Sequence, residues 1–304
     1  MTQIAVSLAL IGWLLTHISW REVLDLMIQA NVWLILVACS LYYFGVALSC
    51  LKWSIALRVE TLRVPFANLF RWYLIGAFMS NFLPTDVGGD LGRGFYASRF
   101  TAHTGAVVRS IVVERLTGLI AMLVLGALGV VMVAQQTPIE LIGGVTGLAL
   151  LVLVVVFIRR TRALKHPWLT TVIQKLMDSW TRYRNHPMDL FVLSILSFAF
   201  QILAGIGVWL NLSAVGVNLP LPTIVLATAL IGTAGLLPIS VNGWGVREAL
   251  VVGLLAPLGA LPDRLLAGAL LGRILYLIVT LAGGVLLLFE QHPLRVLQEK
   301  DPSA

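Results

Sequence analysis

Leu83-Pro-Thr-Asp-Val-Gly-Gly-Asp-Leu-Gly-Arg93 has a counterpart in the other half of the chain, Leu237-Pro-Ile-Ser-Val-Asn-Gly-Trp-Gly-Val-Arg247. Each phrase follows an apolar stretch with Leu-Pro, and the two keep Val, Gly and Arg in register. Proline removes a backbone donor, and glycine-rich sequence holds a regular helix poorly. Each phrase therefore predicts a break in an otherwise apolar helix. Unsatisfied backbone groups at membrane depth persist only when buried in protein or facing a watery cavity. Paired interruptions in corresponding positions are the sequence signature of a transporter binding site.

The surrounding composition places these breaks in a membrane. Of 304 residues, 59% are hydrophobic and 12% charged, and mean hydropathy is +0.94. Soluble domains carry about twice that share of charge. The net charge of +7 falls in loops between apolar runs, which points to anionic lipid headgroups and away from nucleic acid. Cys39 and Cys50 lie in one apolar segment and suggest neither a disulfide framework nor a metal site.

Apolar runs predict six transmembrane helices, at Met1–Leu15, Asn31–Leu57, Arg109–Ala134, Ile139–Ile158, Asp189–Val215 and Arg264–Phe289, the last five of them long enough to cross a bilayer. The first is short and reads as a retained anchor, not a signal peptide. His17 to Gln29 repeats Trp20, Val23, Leu24, Met27 and Ile28 on one helical face and predicts an interfacial amphipathic helix. The second span carries Lys52 and Arg58 at its end, with Arg63 beyond. The loop from Arg159 to Pro187 holds Arg159, Arg160, Arg162, Lys165, Lys175, Arg182 and Arg184 against Asp178. By the positive-inside rule it is cytoplasmic, and counting crossings from it puts both termini there.

The same count makes Phe66–Arg99 a re-entrant hairpin entered from the cytoplasm and Thr223–Ala260 one entered from outside. The expected fold is thus an all-α polytopic membrane protein: one transmembrane domain over 1–304, with inverted repeats of roughly 31–135 and 188–289. A helix and the basic loop 159–187 join them.

Broken helices expose N–H groups that favour anions, and ionisable groups within membrane segments are paired or functional. The candidate substrate-binding set is therefore Asn81, Asp86, Asp90, Arg93, Glu114, Arg115, Asn242, Arg247, Glu248 and Arg273. The arginines have forks suited to phosphate oxygens; the carboxylates suit an amine or balance the arginines. Structural readings stand beside these: Glu248 neutralising Arg247, Glu114 neutralising Arg115 or Arg273, Asp86 capping a helix, and Trp72, Tyr73 and Trp244 serving as packing aromatics. Gly92-Arg-Gly-Phe-Tyr-Ala97 matches a dinucleotide fingerprint by letters only, since no strand precedes it. No histidine pair has metalloprotease spacing, and Ser240 lacks a nucleophile elbow. No catalytic residue, metal or cofactor is expected.

Three phrases in order, Asn81 to Arg93, Glu114-Arg-Leu-Thr-Gly118 and Leu237 to Glu248, resemble the lysylphosphatidylglycerol synthase transmembrane-region (flippase-like) family over nearly the whole chain. The resemblance implies a bacterial or archaeal inner-membrane protein similar to the flippase half of multiple peptide resistance factors. Those proteins also carry a soluble synthase domain, and no part of this sequence corresponds to it. The expected function is movement of a phospholipid or other polar-headgroup envelope lipid between leaflets. The alternatives are an intramembrane transferase using Asp86 or Asp90 as base and a non-catalytic partner of a lipid-synthesising enzyme. The expected partners are lipids with anionic or amino-bearing headgroups.

Overall fold

The structure, a computed structural model, describes residues 19–82, 87–134, 182–235, 243 and 245–289. Among these, all regular structure is helical: α1 (Trp20–Ile28), α2 (Val32–Val59), α3 (Phe66–Ser80), α4 (Val87–Thr101), α5 (Thr104–Ala134), α6 (Pro187–Ala214), α7 (Leu221–Gly235), α8 (Val246–Leu255), a 3-10 turn (Ala256–Leu258) and α9 (Pro262–Phe289). Four of them, α2, α5, α6 and α9, are long and apolar enough to cross a membrane. The chain is a multi-pass helical membrane protein. The predicted spans at Met1–Leu15 and Ile139–Ile158, and most of the basic loop, lie outside the described residues.

Two ends of the bundle can be told apart by their bonds. At one, the Asn31 N–H donates to the Ala214 carbonyl at 2.9 Å, and the Ser19 N–H donates to Asp263 Oδ1 at 3.2 Å. This joins the start of α2, the end of α6 and the start of α9. At the other, Glu60, 2% exposed, accepts from Arg109 Nη2 at 2.6 Å and lies 3.6 Å from Arg182 Nη1. Tyr183 donates to the Ala56 carbonyl at 2.9 Å. Burial and the Glu60 carboxylate hold its hydroxyl in the neutral form, well above the ordinary phenol range. Arg58, Arg63, Arg109, Arg182 and Arg184 gather near this second, basic end.

Helices α3 and α4 run antiparallel: Trp72 stacks on Tyr96 with ring centroids 6.4 Å apart, and Gly89 lies against Gly76 and Ser80. A Cβ added at Gly76 would sit 2.6 Å from the Gly89 carbonyl oxygen, so glycine is required for the helices to approach this closely. Fifteen residues give α3 and α4 a length of roughly 22 Å each, short of the ~30 Å hydrocarbon thickness. Leu83 to Asp86, the Leu-Pro break itself, lies outside the described residues.

Helix α7 enters from the opposite end. Gly129 of α5 meets Leu226, and Gly126 meets Leu230 and Thr233, so α7 runs antiparallel to α5. Helix α8 returns beside it, and Leu255, Val251 and Ile224 share a core with Leu212, Leu265 and Val23. Gly243 and Gly245 carry φ of +73° and +81° at the α8 entrance, a region open to glycine without steric cost.

Lipid tails are as apolar as leucine, so close packing and polar bonds, not apolar burial, hold such helices together. Gly205 on Val225 and Gly268 on Leu212 supply the packing. Large apolar side chains such as Phe44, Ile120, Phe191 and Leu288 point outward.

The amphipathic segment forms α1, but its apolar face is divided differently from the sequence pattern. Val23 is fully buried, and Trp20, Leu26 and Met27 pack on the same core. Leu24 and Ile28 remain 55% and 82% exposed. Packing on α9 recruits Leu26, a residue outside the predicted stripe.

Candidate functional site

Asp90 and Arg93 stand three residues apart on α4, hence on one face, and that face meets α5. There Asp90 binds two arginines at once. Its Oδ1 accepts from Arg93 Nε at 3.0 Å and lies 2.8 Å from Arg93 Nη2. Arg115 closes a two-pronged pair, with Nε to Oδ2 at 2.7 Å and Nη2 to Oδ1 at 2.8 Å.

Arg93 is also bound from its other side. Its Nη1 donates to Glu114 Oε2 at 2.7 Å, and Tyr73 of α3 donates to Glu114 Oε1 at 3.1 Å. The guanidinium carbon sits 4.6 Å from the Trp53 ring centroid and 4.4 Å from that of Tyr73. Such cation–π contacts strengthen when desolvated, and here the arginine is 1% exposed. Trp53 is itself fixed by its Nε1–H donating to Ser110 Oγ at 3.0 Å.

A cavity of about 460 Å³ opens above this cluster. Asp90, Arg93 and Arg115 line it from the first broken phrase and its following helix, and Arg247 lines it from the second. Its other walls come from α2, α3, α6 and α9 and are largely apolar, with Tyr42 and Tyr276 meeting edge to face at 5.4 Å. One chamber thus brings charged and apolar side chains together.

The remaining candidates are placed as follows. Asn81 ends α3 and donates through Nδ2 to Thr280 Oγ1 of α9 at 2.9 Å. Glu248, 4% exposed, accepts from the Gly245 N–H at 2.8 Å and so caps α8. Arg273 Nη2 lies 3.4 Å from its Oε1. Asp86 and Asn242 lie outside the described residues.

Two acids pair with arginines that are not their sequence neighbours. Glu114 pairs with Arg93 and Glu248 with Arg273. Consecutive helical residues point about 100° apart, so a neighbour in sequence faces elsewhere. Tyr73 is a member of the charged cluster as well as a packing aromatic.

Lys52 was expected as a charge terminating its span. It is instead 4% exposed within α2, with Nζ 5.7 Å from the Phe200 ring centroid. Trp53, in an apolar run, carries no sequence signal of its place beside Arg93. Among the described residues, no group of three or more His, Cys, Asp or Glu is placed to hold a metal ion.

The fold defines a polytopic helical membrane protein with a partly charged internal chamber. The chain belongs to the family described as the lysylphosphatidylglycerol synthase transmembrane region, which it matches over residues 1–284. No curated protein matches it significantly. Family and architecture together make this a lipid-related membrane protein.

Proposed function

We propose that the protein is a lipid transporter or flippase that moves a phospholipid or other polar-headgroup envelope lipid between the leaflets of a bacterial or archaeal inner membrane. The observation that carries this reading is the chamber lined by Asp90, Arg93 and Arg115 from one half of the chain and Arg247 from the other. Guanidinium forks bind phosphate oxygens in two-pronged fashion, and apolar walls suit acyl chains beside the headgroup.

Two features support alternating access. Helices α3 and α4 leave from and return to the basic end, and α7 and α8 do the same at the opposite end. Read as re-entrant hairpins, they form an inverted repeat of about 31–135 and 188–289 within one domain, with the chamber where they meet. Arg58, Arg63, Arg182 and Arg184 around one end favour a cytoplasmic assignment for it. The C-terminus then lies in the cytoplasm, as does the N-terminus if Met1–Leu15 crosses once.

Anionic or amino-bearing headgroups are the expected cargo, and a lipid-synthesising enzyme would be the natural supplier. Both Asp90 oxygens are occupied by guanidinium groups, which leaves Asp90 a poor general base.

Reconstitution of the full chain into liposomes with labelled phosphatidylglycerol and an amino-bearing lipid tests the reading. Leaflet exchange without covalent change is expected; conversion of the lipid by the purified protein would overturn it.

A further inference from the structure

The two arginines on Asp90 are held in opposite ways. Arg93 has aromatic rings beside its guanidinium, Glu114 on one nitrogen and Asp90 on the others, and its side chain is 2% exposed. Moving it would break a buried pair and uncover Glu114, a change that costs several kcal/mol. The Arg115 side chain is 55% exposed and lines the chamber. Swinging it leaves the Arg93–Glu114 pair in place.

Asp90 itself is only 14% exposed and offers Arg115 the geometry that a phosphodiester offers: two oxygens on one centre, each taking one guanidinium N–H. If Arg115 leaves, Asp90 keeps Arg93 Nε and Nη2 at 3.0 and 2.8 Å and is not stranded.

We propose that Arg115 is the residue that captures the headgroup phosphate and that Asp90 is its resident placeholder. A lipid phosphodiester takes over the two bonds that Asp90 makes to Arg115, while Arg93, locked by Glu114, Tyr73 and Trp53, retains Asp90. Arg93 and Asp90 are then positioning residues, and Arg115 is the one that touches cargo. No covalent bond changes. The proposal rests on the lipid-transport reading and assigns the order of events at its site.

The assignment makes an unusual demand: removing a charged residue of the site must strengthen binding. Full-length protein in nanodiscs of zwitterionic phosphatidylcholine is titrated with fluorescent phosphatidylglycerol. Asp90→Asn, which frees Arg115 without competition, is expected to bind about tenfold more tightly, the factor that ~1.4 kcal/mol produces. Arg115→Gln is expected to bind at least about tenfold more weakly. The double variant should match Arg115→Gln, because the placeholder matters only when Arg115 is present. Asp90→Glu, which restores the carboxylate, should return affinity toward wild type.

If Asp90→Asn does not fold, Asp90→Ser clears the same carboxylate and repeats the test. Wild-type binding combined with weaker or unchanged binding by the folded Asp90 variants overturns the exchange and leaves the transport reading standing. Wild-type protein that neither binds nor moves phosphatidylglycerol or the amino-bearing lipid overturns both.

Discussion

Arg93 Nη1 stands 2.7 Å from Glu114 Oε2, with the two side chains 2% and 4% exposed. The pair spans two helices, and removing one partner leaves the other charge buried. Glu114→Ala is expected to destabilise the protein by about 3–5 kcal/mol, and Arg93→Met to act similarly. The double variant should lose less than the sum, because neither charge is then stranded. Unfolding in mixed micelles, followed for all four members of the cycle, measures the coupling. Purely additive losses would contradict the pairing.

Tyr73→Phe removes one donor from Glu114 while keeping a ring beside Arg93. The expected loss is ~1.5–3 kcal/mol, the range for a hydrogen bond to a charged acceptor. Tyr73→Leu, which also removes the ring, should cost more. The comparison is made by the same unfolding measurement.

Glycine positions give a direct packing test. Gly76→Ala places a Cβ 2.6 Å from the Gly89 carbonyl oxygen, a backbone atom that cannot rotate away, and is expected to cost ~1–3 kcal/mol. A Cβ at Gly253 has no heavy atom within 4 Å, and the residue lies inside α8. Gly253→Ala should therefore be neutral or stabilising by up to about 1 kcal/mol through helix propensity. Equal effects at both positions would sink this account of the α3–α4 contact.

Arg247 lines the chamber, whereas its sequence neighbour Glu248 caps α8. Arg247→Ala is expected to abolish lipid exchange in liposomes while the protein still inserts. Glu248→Ala should lower stability instead, by ~1–3 kcal/mol for the buried donor it leaves unpaired. Full exchange by Arg247→Ala would remove that residue from the site.

Orientation is open to labelling in cells. In a background of Cys39→Ser and Cys50→Ala, a cysteine replacing Arg184 should resist a membrane-impermeant thiol reagent added outside. One replacing Asp263, at the opposite end, should react. The reversed pattern would invert the assignment.

The sequence made the polar cluster visible because charge is conspicuous in apolar helices: Asp90, Arg93, Glu114 and Arg115 were all identifiable without coordinates. Four described spans fall within a few residues of their predicted limits, since hydropathy and length govern membrane helices. What sequence could not supply was pairing. Whether Glu114 meets Arg93 or Arg115 depends on how α4 rotates against α5, and no local pattern encodes that angle. The roles of the aromatics Trp53 and Tyr73 are harder to read for a related reason. In a helix that is apolar all round, an aromatic facing a buried charge has the same sequence surroundings as one facing lipid.

Helix α9 touches α3 almost without side chains between them. Gly283 lies on the Leu74 carbonyl, Gly284 beneath the Phe78 ring, and Asn81 is bonded to Thr280. A joint of this kind has one register and no slack, so the two helices share their degrees of freedom. If the chamber opens as the transport reading requires, α3 and α9 are expected to move as a single lever. Spin labels placed on these two helices should keep a constant separation through turnover, while a pair spanning α3 and α7 changes its distance.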